Sequence, residues 1–220
     1  MTYENREPMF NFSEPTPVYW AAIMVVIEVL TIFAVESLGN LLATYGIMRP
    51  FGTMPLGPQI ISLLGHGFLH SGWAHVLMNS LFGIVFGIVT IRGAKVLATS
   101  RGKRSSGAGA FWLIFLLGVI GGGVAQWLVW KVMGTTSAAM VGASGGASAL
   151  FAAAGWAMGG RAQMLQFGLG WAIVNVVLVV AAPILGTNVS WAGHMGGYAA
   201  GMVIAPLLVR ANSTGFSVLR

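Results

Sequence analysis

The chain has 220 residues, 56% of them hydrophobic and only 7% charged, with a mean hydropathy of +0.82; soluble domains carry roughly 25% charged residues. So little charge excludes an ordinary soluble fold and points to a polytopic membrane protein. The net charge of +6 reflects missing acids rather than a basic stripe, which argues against nucleic acid as a partner, and the lack of cysteine excludes disulfides, thiolate catalysis and cysteine-zinc sites.

Residues 1–17 are polar, lack an apolar h-region and are expected to form a short cytoplasmic segment, not a cleaved signal peptide. Six runs of suitable length follow, at 18–37, 73–91, 109–133, 141–158, 164–185 and 190–209; a span needs about 20 mostly apolar residues and must be helical to satisfy its backbone in lipid. The expected fold is therefore all-α: a six-transmembrane-helix bundle over 18–210, with a cytoplasmic tail at 211–220. The first span carries Glu28, which should face the bundle as a polar anchor. Residues 38–72 hold Pro50, Pro55 and Pro58 and read as an interfacial or partly embedded outer loop. Gly118 and Gly122, Gly142 and Gly146, and the row Gly193, Gly197 and Gly201 form small-residue faces, so spans four and six are expected to press together. The twelve methionines and eight tryptophans read as lipid-facing bulk and an interfacial belt.

Six spans place both termini on one side. That side collects Arg6, Arg92, Lys95, Arg101, Lys103, Arg104, Arg161, Arg210 and Arg220, against Arg49 and Lys131 opposite. The positive-inside rule makes the richer side cytoplasmic, and its basic loop a signal for topology and anionic lipid. The missing presequence leads to the expectation of a bacterial inner membrane.

The chemistry is narrowed by what is absent. There is no aspartate, and the five glutamates end at Glu36, which removes two-carboxylate catalysis and a Ser-His-Asp triad from the rest of the chain. Polar residues in a membrane are costly and informative. His75 and Asn79 share a face near the outer start of span two; Ser144 lies in the first turn of span four, and His194 near the start of span six. A serine hydroxyl needs a neutral imidazole to become a nucleophile, and the open N–H groups of a helix start, with His75 and Asn79, suit an oxyanion. A Ser144–His194 dyad is the expected centre. His66 and His70 have ligand-like spacing but no carboxylate partner; they read as structural or water-retaining, with no metal and no cofactor expected.

The runs HGFLHSGWAHVLMN (66–79), GASG (142–145) and GHMGGYAAG (193–201) together resemble the rhomboid family of intramembrane serine proteases. The resemblance implies Ser144 as nucleophile and His194 as base. It implies His75, Asn79 and the backbone at Ala143 and Ser144 as oxyanion stabilisers, with His66, His70, Gly142, Gly145, Gly197 and Gly201 in support. Implied partners are transmembrane protein substrates and membrane lipids; no oligomeric state is implied. Departures are the missing Trp-Arg pair of the first outer loop, the missing acid at the end of span two, and Ser148 where an aromatic often stacks on the histidine. Substrate entry is expected past span five and the loop at Pro183 and Gly186, because span five carries none of the motif residues. The alternatives are a proton-coupled transporter or channel using Glu28 and the histidines, and a catalytically silent binder of transmembrane helices.

Overall fold

The computed structural model describes residues 14–184 and 188–211. Arg6, Gly186, Arg220 and nearly all of the two expected terminal segments lie outside the described residues. Among the described residues there are seven α-helices: α1 (Pro15–Ile32), α2 (Glu36–Gly46), α3 (Leu56–Gly65), α4 (Trp73–Ser100), α5 (Ala108–Val132), α6 (Ser144–Ala181) and α7 (Trp191–Leu208). A short 3-10 turn, His66–Phe68, follows α3, and extended pairing is confined to one bridge between Met48 and Met140. Four helices, α1, α4, α5 and α6, are long and apolar enough to cross a membrane. The chain is an all-α membrane protein.

Expected spans four and five fall within α6, 38 residues long, with non-helical backbone at Gly159 and at Gly160, whose φ is 66°. Glycine is the residue that takes this conformation without steric cost. The helix doubles back there. A Cβ on Gly155 would lie 2.9 Å from Met164 Cα, and the rings of Phe151 and Phe167 are 4.8 Å apart. A straight helix would separate those pairs by about 13 and 24 Å. α6 is thus a hairpin of a first arm (144–158) and a second arm (161–181).

Other boundaries moved for local reasons. α1 stops at Ile32, short of 37, and Glu36 instead opens α2, where an acid in the first turn favours the helix start. The expected loop at 38–72 contains two helices, α2 and α3, with exposed Leu41, Leu56, Ile60 and Ile61. Gln59 holds the intervening turn: its Nε2 donates to Pro50 O at 2.9 Å and its Oε1 accepts from Gly52 N–H at 2.9 Å. α4 runs nine residues past 91, to Ser100; Lys95 lies 2.7 Å from both carboxylate oxygens of Glu14, at the start of α1. That pair marks one end of the bundle. Arg210 N–H donates to Gly93 O at 3.1 Å and Gly160 packs on Ala211, which brings Arg92, the 101–104 loop, Arg161 and Arg210 towards that end, while Met48, Trp130 and Met140 cluster at the other, with Arg49, Lys131 and Ser144.

The interior is built on glycine and alanine. A Cβ on Gly197 would strike the backbone of Gly145, and one on Gly201 would lie 2.5 Å from Ala149 O. Gly122 would come 2.6 Å from Gly193 O, and Gly118 would strike Ala149. Expected spans four and six, the first arm of α6 and α7, therefore meet backbone to backbone, through Gly145 and Ala149 in place of the expected Gly142 and Gly146 face, and α5 closes on both. Glu28 faces the bundle at 3% exposure. The tryptophans are not all peripheral: Trp20 is fully buried beside Gly83, with Phe115 at 5.1 Å, and Trp171 is 8% exposed.

Candidate active site

Ser144 is the first helical residue of α6, and the cap residue Ala143 supplies no side-chain hydrogen bond. The first-turn N–H groups therefore lack a capping side chain and carry the positive end of the helix dipole. The approach to Ser144 is fixed from outside the helix. Met140 exchanges two backbone hydrogen bonds with Met48 (2.9 and 3.1 Å), and Gly142 N–H donates to His66 O at 2.8 Å. Gly142 has φ +127°, a backbone region that side chains other than hydrogen rarely enter.

The bare face of Gly142 is where α4 arrives. A Cβ there would meet His75 Cε1 and Nε2 at 2.7 Å and Asn79 Nδ2 at 3.6 Å. His75 and Asn79, predicted from their spacing, thus reach the chain two residues before Ser144. Asn79 is 7% exposed, and its Nδ2 has no protein acceptor. His75 Nδ1 lies 3.4 Å from Ser71 N and 3.0 Å from Ser71 Oγ. A backbone N–H only donates, so Nδ1 accepts and the neutral ring carries its proton on Nε2, the atom against Gly142. Two N–H donors therefore converge there.

His66 and His70 support this chain from behind. His66 Nδ1 donates to Ser62 O at 3.1 Å while its carbonyl holds Gly142. His70 Nε2 lies 3.5 Å from Ala143 N, and its ring meets that of His75 edge-on at 5.1 Å. The Ala143 N–H is thus directed at His70 instead of standing open as an oxyanion donor. Burial lowers both imidazoles to about 4, with His75 adding to the effect at His70. Both rings are neutral at physiological pH.

His194 lies on α7, three residues before Gly197, whose backbone crosses Gly145 next to Ser144. Two residues missed by sequence reasoning hold the ring. Asn175 Oδ1 lies 2.7 Å from His194 Nδ1, and Trp171 packs on the imidazole with centroids 5.5 Å apart at 37°. Both belong to the second arm of α6, within expected span five, which carries none of the motif residues and nevertheless reaches His194. Trp171 supplies the aromatic neighbour expected at position 148, where Ser148 is buried and donates to Ser144 O at 2.7 Å. Asn175 had a signal in the sequence: it is the one amide in the otherwise apolar run 167–186, and a polar group inside a span is expensive.

The same chain, compared with known proteins, matches the family model described as Rhomboid domain over residues 57–211, more than half its length. It is also 29% identical over 225 residues to uncharacterized proteins of Mycobacterium bovis and Mycobacterium tuberculosis, an alignment covering 94% of this chain and 80% of each relative.

Proposed function

The chain belongs to the rhomboid family, and from that premise we propose that it is an intramembrane serine endopeptidase that cuts peptide bonds in or near transmembrane segments of other membrane proteins. The observation that carries the reading is a convergence. The opening of α6 at Ser144 meets the donors His75 and Asn79 of α4 at Gly142 and the backbone of α7 at Gly197, one turn from His194.

In this reading Ser144 Oγ attacks the scissile carbonyl carbon, and its proton passes to His194 Nε2. The carbonyl oxygen becomes an oxyanion that accepts hydrogen bonds from His75 Nε2–H, Asn79 Nδ2–H and the first-turn backbone of α6. His194 then returns the proton to the leaving amine, and an ester on Ser144 remains. Water, deprotonated by the same imidazole, hydrolyses that ester and restores the serine. The chemistry requires no metal or cofactor. Because His194 works as a neutral base, activity rises with pH as its imidazole gives up its proton.

The architecture proposed with this activity has six crossings: α1, α4, α5, the two arms of α6, and α7. The Lys95 end, rich in arginine and lysine, faces the cytoplasm with both termini, and the Ser144 end faces outward, in a bacterial inner membrane. Transmembrane substrates and surrounding lipid are the partners.

The test is cleavage of a tagged transmembrane segment by the purified chain in liposomes, alongside a measurement of proton flux. The proposal expects cleavage that Ser144→Ala abolishes. Cleavage that survives Ser144→Ala, or flux without cleavage, contradicts it.

A further inference from the structure

Serine hydrolases usually orient their imidazole with a carboxylate, and this chain has none after Glu36. The structure assigns that task to Asn175: we propose that it is a positioning residue that fixes His194 as the Nδ1–H tautomer and turns Nε2 towards Ser144. The inference rests on the endopeptidase reading and deepens it.

The difficulty with an amide in this role is that it has two faces. If its NH2 group meets the imidazole, Nδ1 must accept, the proton moves to Nε2, and the base is disabled. Replacing the aspartate of a Ser-His-Asp triad with asparagine costs about 10⁴ in kcat for this reason. An amide becomes useful only when its NH2 is engaged elsewhere. Here it is. Asn175 Nδ2 lies 2.9 Å from the backbone carbonyl of Trp171, one helical turn earlier. That oxygen can only accept, so the amide nitrogen must face it. The flipped amide would set oxygen against oxygen there and NH2 against the ring.

With that orientation fixed, Oδ1 is the atom 2.7 Å from His194 Nδ1. Two acceptors do not approach that closely, so the hydrogen between them is on Nδ1. A neutral imidazole has a single ring proton, and Nε2 is left with its lone pair, as a general base requires. Asn175 is 3% exposed, so water does not compete for its oxygen. Trp171 packs against the ring, restricting rotation about the bond to Asn175. Tyr198, on α7, donates to the Met164 carbonyl on the second arm and ties the two helices together below the site.

The membrane gives a physical reason for a neutral holder. A charged aspartate at the centre of a membrane helix is costly to insert. An amide holds the same tautomer without a buried charge. The orientation also does not depend on motifs on the strands of sequence around His75, Ser144 or His194; it depends on one side chain in a run that looks like lipid-facing filler.

The experiment uses the full chain in detergent with a fluorogenic transmembrane substrate, and two variants. Asn175→Leu keeps the approximate volume and removes both hydrogen bonds; Asn175→Asp keeps an acceptor for Nδ1–H. Expected for Asn175→Leu is a loss of about 10- to 100-fold in kcat, part of what a positioned base supplies, with KM unchanged and fluorophosphonate labelling of Ser144 slowed in proportion. Asn175→Asp should recover much of that loss. Nitrogen NMR of histidine-labelled protein reads the tautomer without reference to activity: His194 should be protonated at Nδ1 in the native chain and shift towards Nε2 in Asn175→Leu. That measurement on the native chain stands even if Asn175→Leu fails to fold. A native His194 protonated at Nε2, or Asn175→Leu with native kcat, overturns the inference while leaving the endopeptidase reading intact. A native chain that neither cleaves nor labels at Ser144 overturns the reading, and the inference with it.

Discussion

Along the first arm of α6, the residues that meet α5 and α7 are Gly145, Gly146 and Ala149; along the second, the inward face is Met164, Trp171 and Asn175, buried, with Phe167 half-buried beside them. The first arm is inaccessible almost throughout, and its neighbours touch backbone. The second arm exposes Leu165, Leu169, Ile173, Val176, Val177 and Val180 and, past the backbone contact of Met164 with Gly155, reaches the rest of the molecule through a few long side chains. One helical hairpin thus contains two kinds of packing. Backbone contact without intervening side chains has no rotamers to adjust, and it fixes Ser144 against α7. Side-chain contact can readjust, and it carries the partner of His194. In the proposed mechanism the nucleophile is set by the rigid arm and the base is steadied by the adaptable one.

The contrast can be broken most severely at Gly197. A methyl there must displace the Gly145 backbone; Gly197→Ala is expected to cost roughly 1–3 kcal/mol, the usual price of overpacking. The same separation of α6 from α7 should reduce kcat on the order of 10²-fold, because a misplacement of about 1 Å has that effect. Thermal unfolding in detergent and cleavage kinetics check it. Native stability and activity in this variant would mean the seam is not tight.

Removing a donor leaves the seam, and with it stability, undisturbed, and acts on turnover alone. Asn79→Ala should lower kcat on the order of 10²–10³-fold with little change in KM, since its buried Nδ2 has no protein acceptor in the resting site. A KM effect alone would move Asn79 from oxyanion stabilisation to substrate binding.

A smaller effect comes from pH. His66 and His70 are lowered to about 4 by burial, against an unfolded value near ~6.5. Between those values the unfolded chain binds protons that the folded chain refuses, so stability is complete above the unfolded value and declines as pH falls towards the folded one. The unfolding midpoint should drop from pH 7.5 to pH 5, and His66→Gln should flatten the slope. A midpoint indifferent to pH would show that these rings are open to water.

The smallest effect belongs to the adaptable arm. A Cβ on Gly170 meets nothing within 4 Å, so Gly170→Ala should leave activity native and raise stability by about 0.4–1 kcal/mol. The same chemical change as at Gly197 then has the opposite sign.

Much of this was legible in the sequence because glycine spacing and polar residues inside apolar runs have few other uses in a membrane. The pressing of the first arm of α6 against α7 follows from those signals, but the face differs: Gly145 and Ala149 meet Gly197 and Gly201, while Gly142 and Gly146, the expected pair, face His75 and Phe115. The helices α2 and α3 were hidden because prolines at 50, 55 and 58 resemble a loop, although Pro55 and Pro58 sit where helix starts tolerate them. The hairpin in α6 was read as two separate runs, which the backbone at Gly160 reconciles. Trp171 and Asn175 were missed because no local motif contains them: their role depends on the second arm returning to lie beside α7, a long-range event.

The most direct test of the central claim is the site of covalent modification by a serine-directed fluorophosphonate, mapped by mass spectrometry on the purified chain. The account predicts a single adduct on Ser144, absent from Ser144→Ala and strongly reduced in His194→Ala. An adduct that persists in Ser144→Ala, or an actively cleaving chain in which Ser144 stays unmodified, would contradict it.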